Sequence, residues 1–421
     1  MSFRSFIDQL KTDNLLTEIK TPVSQKQDLM RIAGDGKPAF FHDINSHRVA
    51  VNILSSRDAL CSALHVKRDD LAKYLASAGM TGESGEVQLV SDSPTKTISE
   101  KPDLTKLPVI TYFKDDPAPY ITAGVVITEV DGVTNASIHR LMVIGKDKLA
   151  VRLVAPRHTY LLHKKALDRG ETLPVAIAIG LDPTVLFAVS TRVPEGMEFL
   201  YASALLGEPL EVFECENGIK VPHCEIVLEG YIGAETAPEG PFVDITGTYD
   251  RVRSEPVIKL TNVIHRKNPI YHAIIPSGDE HKLLMGIPYE PVIFRAVSGV
   301  ADVKNVVLTK GGCCYFNSVV QIEKRTEGDA KNAILAAFAA HPSLKNVVVV
   351  DPDIDLYDPN DVEFAIATRV LGDRDILLIT NVRGSSLDPV CAPDGTTTKI
   401  GVDATMPLGR DDEFRRVVGA T

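Results

Sequence analysis

The chain has 421 residues, of which 44% are hydrophobic, and a formal net charge of -11 at pH 7. That length exceeds one ordinary hydrophobic core, so we expect two or three domains, each apolar enough to bury a core of its own. The 45 Lys and Arg residues are outnumbered by 56 Asp and Glu residues and form no basic run, which argues against nucleic acid as a partner.

The N-terminal segment MSFRSFIDQLKTDNL has the periodicity of an amphipathic helix, with Phe3, Phe6, Ile7 and Leu10 on one face. It lacks the apolar stretch of a signal peptide, so we expect it to be part of the fold. No apolar run reaches the roughly 18 residues that a membrane span requires. These features predict a soluble, cytoplasmic protein without a membrane span.

Six cysteines stand at positions 61, 215, 224, 313, 314 and 391, without CxxC spacing. The adjacent pair does not fit a disulfide framework, and a reducing compartment accounts best for the pattern. We therefore expect unpaired cysteines that act mainly as small buried side chains.

Residues 1–118 are predicted to form an α/β region that ends in a linker. AFFHDI and RVAVNIL are typical of strands, and SRDALCSAL and DDLAKYLASAG are typical of helices. Five prolines between Ser91 and Tyr120 are too many for a regular element, so this segment is predicted to cross between domains.

Residues 119–300 are predicted to form a β-rich domain. ITAGVVITEV, Asp131-Gly132 and a second apolar run indicate a hairpin, because Asp-Gly adopts the positive φ angles of a type I′ turn. The same pattern recurs around GKDK and around residues 216–218. TYLLHKKALDRG and MEFLYASALLG predict two inserted helices that end at Gly170 and Gly207.

Residues 301–421 alternate between strand and helix patterns. Strands are indicated by four segments, VKNVVLT, CYFNSVVQI, KNVVVVD and DILLIT. Helices are indicated by two segments, DAKNAILAAFAA and DVEFAIATRVL. Such alternation predicts an α/β layer with a partly parallel sheet.

The common catalytic motifs are missing, since the sequence has no GxGxxG after a strand, no Walker loop, no GxSxG and no HExxH. Instead, polar residues stand at predicted strand ends of the middle domain. Among them, Asn135, His158 and Glu229 offer an amide oxygen, an imidazole nitrogen and a carboxylate. That mixed set suits Mn²⁺ or Mg²⁺ when a phosphate supplies another oxygen. The alternative is that each residue only satisfies local hydrogen bonds, the commoner role of a lone histidine.

Two further sets of charged residues have both a functional and a structural interpretation. Glu239 and Asp244 lie five residues apart in a loop, where Arg140 nearby would make their carboxyl groups titrate differently. On spacing alone, a solvated acidic loop explains them better. Arg140, Arg152 and Arg157 would suit a cofactor phosphate, but surface salt bridges explain them equally well.

Several longer segments together resemble the UbiD family of prenylated-FMN-dependent decarboxylases: NASIHR, VRLVAPRH, EIVLEGYI, APEGPFVDITGTYD, VVVVDPDIDLYDPNDVEFAIATR and TKIGVDAT. The resemblance extends from about residue 5 to residue 410, nearly the whole chain. EIVLEG followed by the PEGPF and TG pattern is specific to that family.

The resemblance implies the roles of individual residues. A metal that links the protein to the flavin phosphate is held in the family by an Asn, a Glu and a His, which match Asn135, Glu229 and His158. The implied flavin contacts are these three ligands together with Ile138, His139, Arg140, Arg152, Leu153, Val154 and Arg157. The implied catalytic residues are Arg140, Glu239 and Asp244, with Asp244 delivering a proton while Arg140 and Glu239 set its ionisation and hold the carboxylate.

The resemblance also implies the fold and the partners. The expected architecture is α+β and multidomain, with an N-terminal α/β region, a central split β-barrel of the flavin-reductase type and a C-terminal α/β domain. The active site is expected in the cleft between the last two. The expected cofactors are prenylated FMN, Mn²⁺ or Mg²⁺, and K⁺ as a further ion. The expected partners are a small unsaturated acid, a flavin prenyltransferase that supplies the cofactor, and further copies of the chain in a dimer or hexamer.

Two departures from other family members bear on the substrate. The acidic catalytic position is Asp244 where other branches have Glu, and Val243 replaces the usual Gly before it. The chain ends at Thr421, without the long C-terminal extension of the ubiquinone-pathway decarboxylase. The length and the phrase PFVDITGTYD are most similar to the archaeal-type branch that decarboxylates trans-anhydromevalonate 5-phosphate in isoprenoid synthesis, which is the leading substrate hypothesis.

Two alternatives stay open. Within the family, the substrate would be an aromatic acid such as a 4-hydroxybenzoate derivative. From another class, the chain would be a non-catalytic flavin-binding subunit of a carboxylase complex. Such a subunit could lose its acid, so the presence of Arg140, Glu239 and Asp244 together argues against it.

Overall fold

The computed structural model describes residues 2–25, 28–34, 36–78 and 85–417. The chain folds into two compact units, the first formed by Met1–His65 and Ala78–Leu284 and the second by Val66–Ser77 and Met285–Thr421. None of the described helices is long and apolar enough to cross a membrane.

In the described residues the strands are β1 (Thr17–Ile19), β2 (Ala39–Ile44), β3 (His47–Val51), β4 (Val87–Leu89), β5 (Ile98–Glu100), β6 (Tyr120–Val130), β7 (Val133–Val143), β8 (Lys148–Val151), β9 (Leu173–Ile179), β10 (Leu210–Glu214), β11 (Lys220–Pro222), β12 (Ile226–Glu239), β13 (Phe242–Val243), β14 (Tyr249–Asp250), β15 (Arg253–His265), β16 (Ile270–Ala273), β17 (Asp302–Leu308), β18 (Asn317–Glu323), β19 (Asn346–Val350), β20 (Ile376–Arg383) and β21 (Thr396–Ala404). The α-helices are α1 (Phe3–Thr12), α2 (Asp28–Ala33), α3 (Arg57–Leu64), α4 (Leu71–Ser77), α5 (His158–Asp168), α6 (Pro183–Ser190), α7 (Glu198–Leu206), α8 (Asp279–Gly286), α9 (Glu290–Ser298), α10 (Asp329–Ala340), α11 (Pro359–Arg369), α12 (Gly372–Asp375) and α13 (Asp411–Phe414).

The first unit begins with the predicted amphipathic helix. Ser2 and Ser5 form a reciprocal capping box at the start of α1, which satisfies backbone N–H groups that have no partner within the helix. The helix buries Phe3, Phe6, Ile7 and Leu10, the four residues that the periodicity predicts. A four-stranded sheet in the order β1-β2-β3-β16 forms the neighbouring part of this unit.

Six antiparallel strands of the first unit close into a barrel, in the order β12-β9-β6-β7-β8-β15, and β15 pairs back to β12. The turn between β6 and β7 has φ angles of 53° at Asp131 and 77° at Gly132, which confirms the predicted hairpin and its turn geometry. Closure leaves these six strands without a free edge over their paired residues.

Helix α5 helps to fill the barrel. Val126, Ile177 and Leu228 stand at paired positions on neighbouring strands, and Leu162 and Ala166 of the helix belong to the same buried core. His163 Nε2 lies 3.0 Å from the carbonyl oxygen of Gly233 in β12. The first turn of α5, which carries His158, is therefore fixed against the barrel.

The proline-rich segment is more regular than predicted. Between Pro94 and Pro102 the chain forms β5, which pairs antiparallel with residues 263–265 of β15. An outermost strand needs ladder hydrogen bonds on one side only, so three residues between prolines are enough.

The second unit contains a five-stranded mixed sheet in the order β17-β18-β19-β21-β20. β18, β19 and β21 run parallel to one another, and β17 and β20 flank them antiparallel. Helix α10 connects β18 to β19, and α11 and α12 connect β19 to β20. This arrangement confirms the predicted α/β layer with a partly parallel sheet.

The cysteines form no disulfide. Cys61, Cys215, Cys224 and Cys314 are buried, as expected of small core side chains, whereas Cys313 and the cysteine at position 391 are half-buried.

Candidate active site

A buried cluster of charges surrounds Arg140, which projects from β7. Its Nε donates to Glu239 Oε1 at 2.9 Å and its Nη2 donates to Glu239 Oε2 at 2.8 Å, a bidentate pair. The remaining Nη1 lies 3.7 Å from Asp244 Oδ2. The structure thus brings together the three residues that were predicted to be catalytic. In the described part of the chain Nη1 makes no hydrogen bond, so it is available to a further carboxylate.

Two more charges and an aromatic ring hold the guanidinium in place. Arg140 Nη2 also donates to Asp250 Oδ2 at 3.1 Å, and Arg253 Nη1 binds the same oxygen at 2.6 Å. The Phe242 ring lies with its centroid 4.8 Å from Arg140 Cζ. Burial lowers the pKa of Arg140, but the hydrogen bonds and charge of Glu239 and the charges of Asp250 and Asp244 raise it by more. Arg140 is therefore a permanent cation.

Asp244 stands at the rim of this cluster, with 18% of its side chain exposed. A tight turn holds its backbone, because its N–H donates to Thr248 O at 3.1 Å and its carbonyl accepts from Gly247 N–H at 2.8 Å. Its Oδ1 accepts the N–H of Ile245 at 2.7 Å. One carboxyl oxygen is thus fixed by the backbone while the other faces Arg140, a geometry suited to proton exchange with a bound molecule.

His281, in the first turn of α8, is a residue that the sequence prediction missed. The backbone N–H of Ser277 donates to His281 Nδ1 at 3.0 Å, and Ser277 Oγ donates to the carbonyl of Ile245 at 3.2 Å. Burial lowers the pKa of His281, the Asp244 charge opposes this, and the charges of Lys282 and Arg140 reinforce it. No motif marks this histidine, so only the folded chain reveals its position.

A second polar cluster lies around Asn135 at the other end of β7. Asn135 Nδ2 donates to Thr159 Oγ1 at 2.9 Å, and the same hydroxyl lies 3.1 Å from both Ser137 Oγ and His139 Nε2. His139 Nδ1 lies 2.9 Å from the carbonyl oxygen of Arg152, so Nδ1 carries the proton and donates. Burial lowers the pKa of His139 to about 4, so the ring is neutral and its Nε2 accepts hydrogen bonds.

A buried carboxylate approaches His158 in this second cluster. Glu198 Oε1, at the start of α7, lies 3.5 Å from His158 Nδ1. A Cβ added to Gly196 would lie 3.4 Å from Val133 Cγ1, so the chain before α7 packs against the strand end that leads to Asn135. Burial raises the pKa of Glu198 to about 7, because the carboxylate is removed from water without a strong cationic partner.

Glu229 is placed differently from the other two predicted metal ligands. Its Oε2 accepts the N–H of Asn217 at 3.2 Å and its Oε1 accepts Asn262 Nδ2 at 3.1 Å. Strand pairing carries the register from Glu229 through β9 and β6 to Ala136 of β7, so Glu229 shares a face with Ala136. Asn135, one residue earlier on β7, therefore faces the opposite side of the sheet from Glu229. The structure pairs His158 with Glu198 and ties Asn135 to Thr159, the residue after His158, whereas Glu229 makes its hydrogen bonds to Asn217 and Asn262.

The remaining predicted flavin contacts lie on or just after β7 and β8. Arg152 pairs with the buried Glu255, which also accepts the N–H of Leu153 at 3.1 Å. Val154 and Arg157 are exposed at the turn into α5, where Arg157 N–H donates to the Val154 carbonyl at 2.8 Å. The fifth predicted contact of this group, Ile138, lies half-buried on β7. Arg152 is thus held by the protein, whereas the Arg157 guanidinium is open to solvent and free to meet an anion.

Glu198 is the residue whose role the sequence prediction missed at this cluster. The signal was a single acidic residue at the head of MEFLYASALLG, a helix whose other early residues are apolar. A carboxylate that is buried at the start of such a helix needs a partner, and the structure supplies His158.

Models of known families match most of the chain. A model described as the 3-octaprenyl-4-hydroxybenzoate carboxy-lyase Rift-related domain matches residues 88–279. Models described as the N-terminal and C-terminal domains of the same carboxy-lyase match residues 7–78 and 282–404. All three bear the family designation UbiD.

A curated relative and two solved structures are similar over nearly the full length. Anhydromevalonate phosphate decarboxylase of Methanosarcina mazei is 63% identical over 421 residues, covering 99% of both chains. The UbiD-class enzyme HmfF from Pelotomaculum thermopropionicum in complex with FMN has a TM-score of 0.95 and 37% identity, covering 99% of this chain and 97% of that chain. An evolved dimeric form of the same enzyme in complex with prFMN has a TM-score of 0.90 and 35% identity, covering 99% and 96%.

Proposed function

The chain belongs to the UbiD family of carboxy-lyases, and we propose that it removes carbon dioxide from trans-anhydromevalonate 5-phosphate with prenylated FMN as its cofactor. The name of the 63% identical relative supports this substrate. The two solved structures, which hold FMN and prFMN, support the cofactor. The same reaction is the leading hypothesis from the sequence. We propose that it serves isoprenoid synthesis and that the enzyme is cytoplasmic.

The observation that carries the proposal is the bidentate Arg140–Glu239 pair with Asp244 facing Nη1. A buried arginine whose other nitrogens are occupied offers one defined position to a substrate carboxylate. The acid at the rim can then reach the carbon from which that carboxylate departs. A flavin-binding subunit without catalysis would have no use for this arrangement.

The proposed chemistry assigns one step to each residue. When it is bound, prenylated FMN supplies an electron sink for the decarboxylation. Arg140 Nη1 orients the substrate carboxylate, and the carbon–carbon bond breaks so that carbon dioxide leaves without its bonding electrons. The bonding electron pair is left behind when carbon dioxide departs, and the carbon that carried the carboxylate takes a proton from the carboxylic acid of Asp244. Glu239 keeps Arg140 in position and compensates its charge throughout.

For the metal that links protein and flavin phosphate, we infer the ligands Asn135, His158 and Glu198. The donor set fits a divalent cation, because an amide oxygen, an imidazole and a carboxylate are ligands that Mn²⁺ and Mg²⁺ accept. The pKa of Glu198, raised by burial to about 7, supports the inference, since a cation there would relieve the desolvated carboxylate. Glu229 is the alternative carboxylate ligand, as the sequence predicts. K⁺ is proposed as a further bound ion.

The flavin contacts and the domain division are part of the same proposal. Arg157 is open to an anion and would bind the flavin phosphate. Ile138, His139 and residues 152–154 are proposed as further flavin contacts. The barrel is proposed to be of the flavin-reductase type. The division into residues 1–118, 119–300 and 301–421 is retained as the proposed functional division, with the active-site residues in the middle part.

We also propose that the enzyme works as a homo-oligomer and obtains its cofactor from a flavin prenyltransferase. In the second unit, β20 is an outer strand, and Leu378 on it is 62% exposed. Ile400, the partner of Leu378 in β21, is also exposed on that face. An exposed apolar outer strand favours pairing with a second copy about a twofold axis.

The proposal is tested by decarboxylation assays on protein produced together with a flavin prenyltransferase. We expect carbon dioxide release from trans-anhydromevalonate 5-phosphate with a kcat/KM at least about 10²-fold above that for 4-hydroxybenzoate. A preference for the aromatic acid would show that the substrate is wrong. Flavin-loaded protein that acts on neither acid would favour the non-catalytic subunit.

A further inference from the structure

The proposed substrate carries a phosphate as well as a carboxylate, and the Arg140 cluster cannot serve both. In that cluster two guanidinium groups, of Arg140 and Arg253, face the three carboxylates of Glu239, Asp244 and Asp250. The cluster therefore has no net positive charge, whether or not Asp244 carries the proton that it delivers, and the open Nη1 position is taken by the substrate carboxylate. A phosphate that enters beside it needs additional donors and positive charge.

The start of α8 is tied to the loop that follows Asp244. Ser277 makes both links, because its Oγ donates to the Ile245 carbonyl at 3.2 Å and its N–H donates to His281 Nδ1 at 3.0 Å. A Cβ added to Gly247 would lie 3.4 Å from Ser277 Oγ, so the two segments are in direct contact. The His281 ring is thus held next to the catalytic loop.

The hydrogen bond from Ser277 also selects the tautomer of His281. Since Nδ1 accepts a backbone N–H, the neutral ring carries its proton on Nε2 and presents a donor there. The charge of Asp244 raises the pKa of this ring, whereas burial and the charges of Lys282 and Arg140 lower it. Lys282 is the next residue along α8 and is the neighbouring cation in sequence.

Lys282 carries a positive charge that no carboxylate of the described residues neutralises in an ion pair. Its side chain is half-buried, and among the described residues it has no ion-pair partner. Its backbone N–H donates to Gly278 O at 3.1 Å, so the residue is fixed in the first turn of the helix. Of the charges around His281, Lys282 is the cation that is not engaged with a carboxylate of the Arg140 cluster.

We propose that His281 Nε2–H and the Lys282 ammonium form the subsite for the phosphate group of the substrate. This inference rests on the proposed function and deepens it, because it assigns the phosphate to named residues. The neutral imidazole donates a directed hydrogen bond, and the ammonium supplies a compact charge that suits a phosphate oxygen. Substrate selectivity for a phosphorylated acid then lies in the first turn of α8.

Kinetics on two substrates test the role of Lys282. The holoenzyme is assayed with trans-anhydromevalonate 5-phosphate and with the same acid that bears a hydroxyl in place of the phosphate. Lys282→Gln should lower kcat/KM for the phosphorylated acid by roughly 10-fold or more, the scale of a lost charged hydrogen bond, and leave the hydroxyl compound unaffected. Lys101→Gln is the control, because Lys101 is exposed and follows β5, which pairs with the far end of β15 from Arg253.

Two variants of His281 separate a role in binding from a role in folding. In His281→Gln the side-chain amide N–H replaces Nε2–H, whereas in His281→Asn the amide oxygen replaces the Nδ1 acceptor. If His281 binds the phosphate, Gln should retain selectivity for the phosphorylated acid and Asn should lose it. The reverse result, with Asn near normal and Gln impaired, would show that the histidine only anchors Ser277.

A binding measurement separates failure of the subsite from failure of the proposed function. Calorimetric titration of the holoenzyme with n-butyl phosphate should show binding that Lys282→Gln weakens about 10-fold or more and Lys101→Gln leaves unchanged. If the wild type turned over the phosphorylated acid but Lys282→Gln kept its ratio of kcat/KM values, the subsite would be overturned and the function would stand. If the wild type did not turn over that acid, equal binding of butyl phosphate to both proteins would overturn the subsite as well.

Discussion

At the scale of single residues, the two carboxylates of the Arg140 cluster, Glu239 and Asp244, differ in the number of contacts that they make with Arg140. Glu239 is fully buried and makes two hydrogen bonds to Arg140, so it is committed to holding the guanidinium. Asp244 is partly exposed and lies 3.7 Å from the same group, beyond hydrogen-bond distance. This geometry supports our proposal that Asp244, and not Glu239, exchanges a proton with the substrate.

Asp244→Asn should separate binding from chemistry. The amide has nearly the same shape and still accepts the N–H of Ile245, but it does not exchange a proton in this pH range. We expect flavin content to be unchanged and kcat to fall by roughly 10²-fold or more. Exchange of solvent deuterium into the product, measured by mass spectrometry, should fall equally. Near-normal turnover in flavin-loaded protein would assign the proton to Glu239 or to water.

A matched pair of glutamate variants tests the proposed metal ligands. Glu198→Gln should reduce bound Mn²⁺ and flavin together, because it removes the charged ligand beside His158. Glu229→Gln is the control, since it is the same isosteric change at another buried carboxylate. Metal content by plasma mass spectrometry and flavin content by absorbance measure both effects. Loss of metal in Glu229→Gln alone would restore the ligand set predicted from the sequence.

The three residues predicted to be catalytic lie together in the structure, whereas the three predicted metal ligands do not. Arg140, Glu239 and Asp244 fall in motifs that resemble the family, and their convergence needs only the barrel fold. The choice between Glu198 and Glu229 depends on which face of a strand or helix each occupies. That choice is set by strand register across β12, β9, β6 and β7, which no local pattern shows.

At the scale of elements, the pairing of β12 with β15 shifts by one residue at a β-bulge next to Glu229. Glu229 pairs with Asn262 of β15, but Gly230 pairs with Leu260, so Thr261 is the extra residue. A Cβ on Gly230 would lie 2.4 Å from the carbonyl oxygen of Lys259, which leaves no space for a side chain. This position therefore requires glycine.

Gly230→Ala should destabilise the barrel, whereas Gly233→Ala on the same strand should not. At Gly233 the nearest atom to an added Cβ is Thr172 Cγ2 at 3.6 Å, an ordinary van der Waals contact. We expect the first change to cost about 1–3 kcal/mol and to lower the Tm by several degrees, and the second to stay within about 0.5 kcal/mol. Thermal unfolding followed by circular dichroism compares the two. Equal midpoints would mean that the bulge adjusts without cost.

The hairpins and the long amphipathic elements could be predicted from the sequence because their signals are local. Helix α6, by contrast, was missed although Asp182 caps it by accepting the N–H of Thr184 at 2.7 Å and Pro183 starts it. Its residues are almost all buried, so no polar face marks the helical period. β21 was likewise not predicted as a strand, because TTTKIGVDA mixes threonines, a lysine and a glycine with its apolar residues.

At the scale of the whole molecule, the α+β fold class could be predicted from the strand and helix patterns of the sequence. The closed barrel could not be derived from those patterns alone. Closure requires β12 to pair with both β15 and β9, and β9 to pair with β6, although the residues of β6, β9 and β12 are far apart in sequence. The three-part division predicted from the sequence stays a prediction, and the structure itself has two compact units. Each unit has its own core, and the predicted catalytic residues all belong to the first.

We propose above all that this chain decarboxylates an unsaturated acid and depends on prenylated FMN to do so. The most direct measurement compares two preparations of the protein, made with and without a flavin prenyltransferase, in air-free buffer with Mn²⁺. We predict carbon dioxide release from trans-anhydromevalonate 5-phosphate in proportion to the modified flavin found by mass spectrometry, and none above background without it. Equal turnover by the preparation that lacks the modified flavin would contradict the claim, as would a flavin-loaded preparation that releases no carbon dioxide from any unsaturated acid.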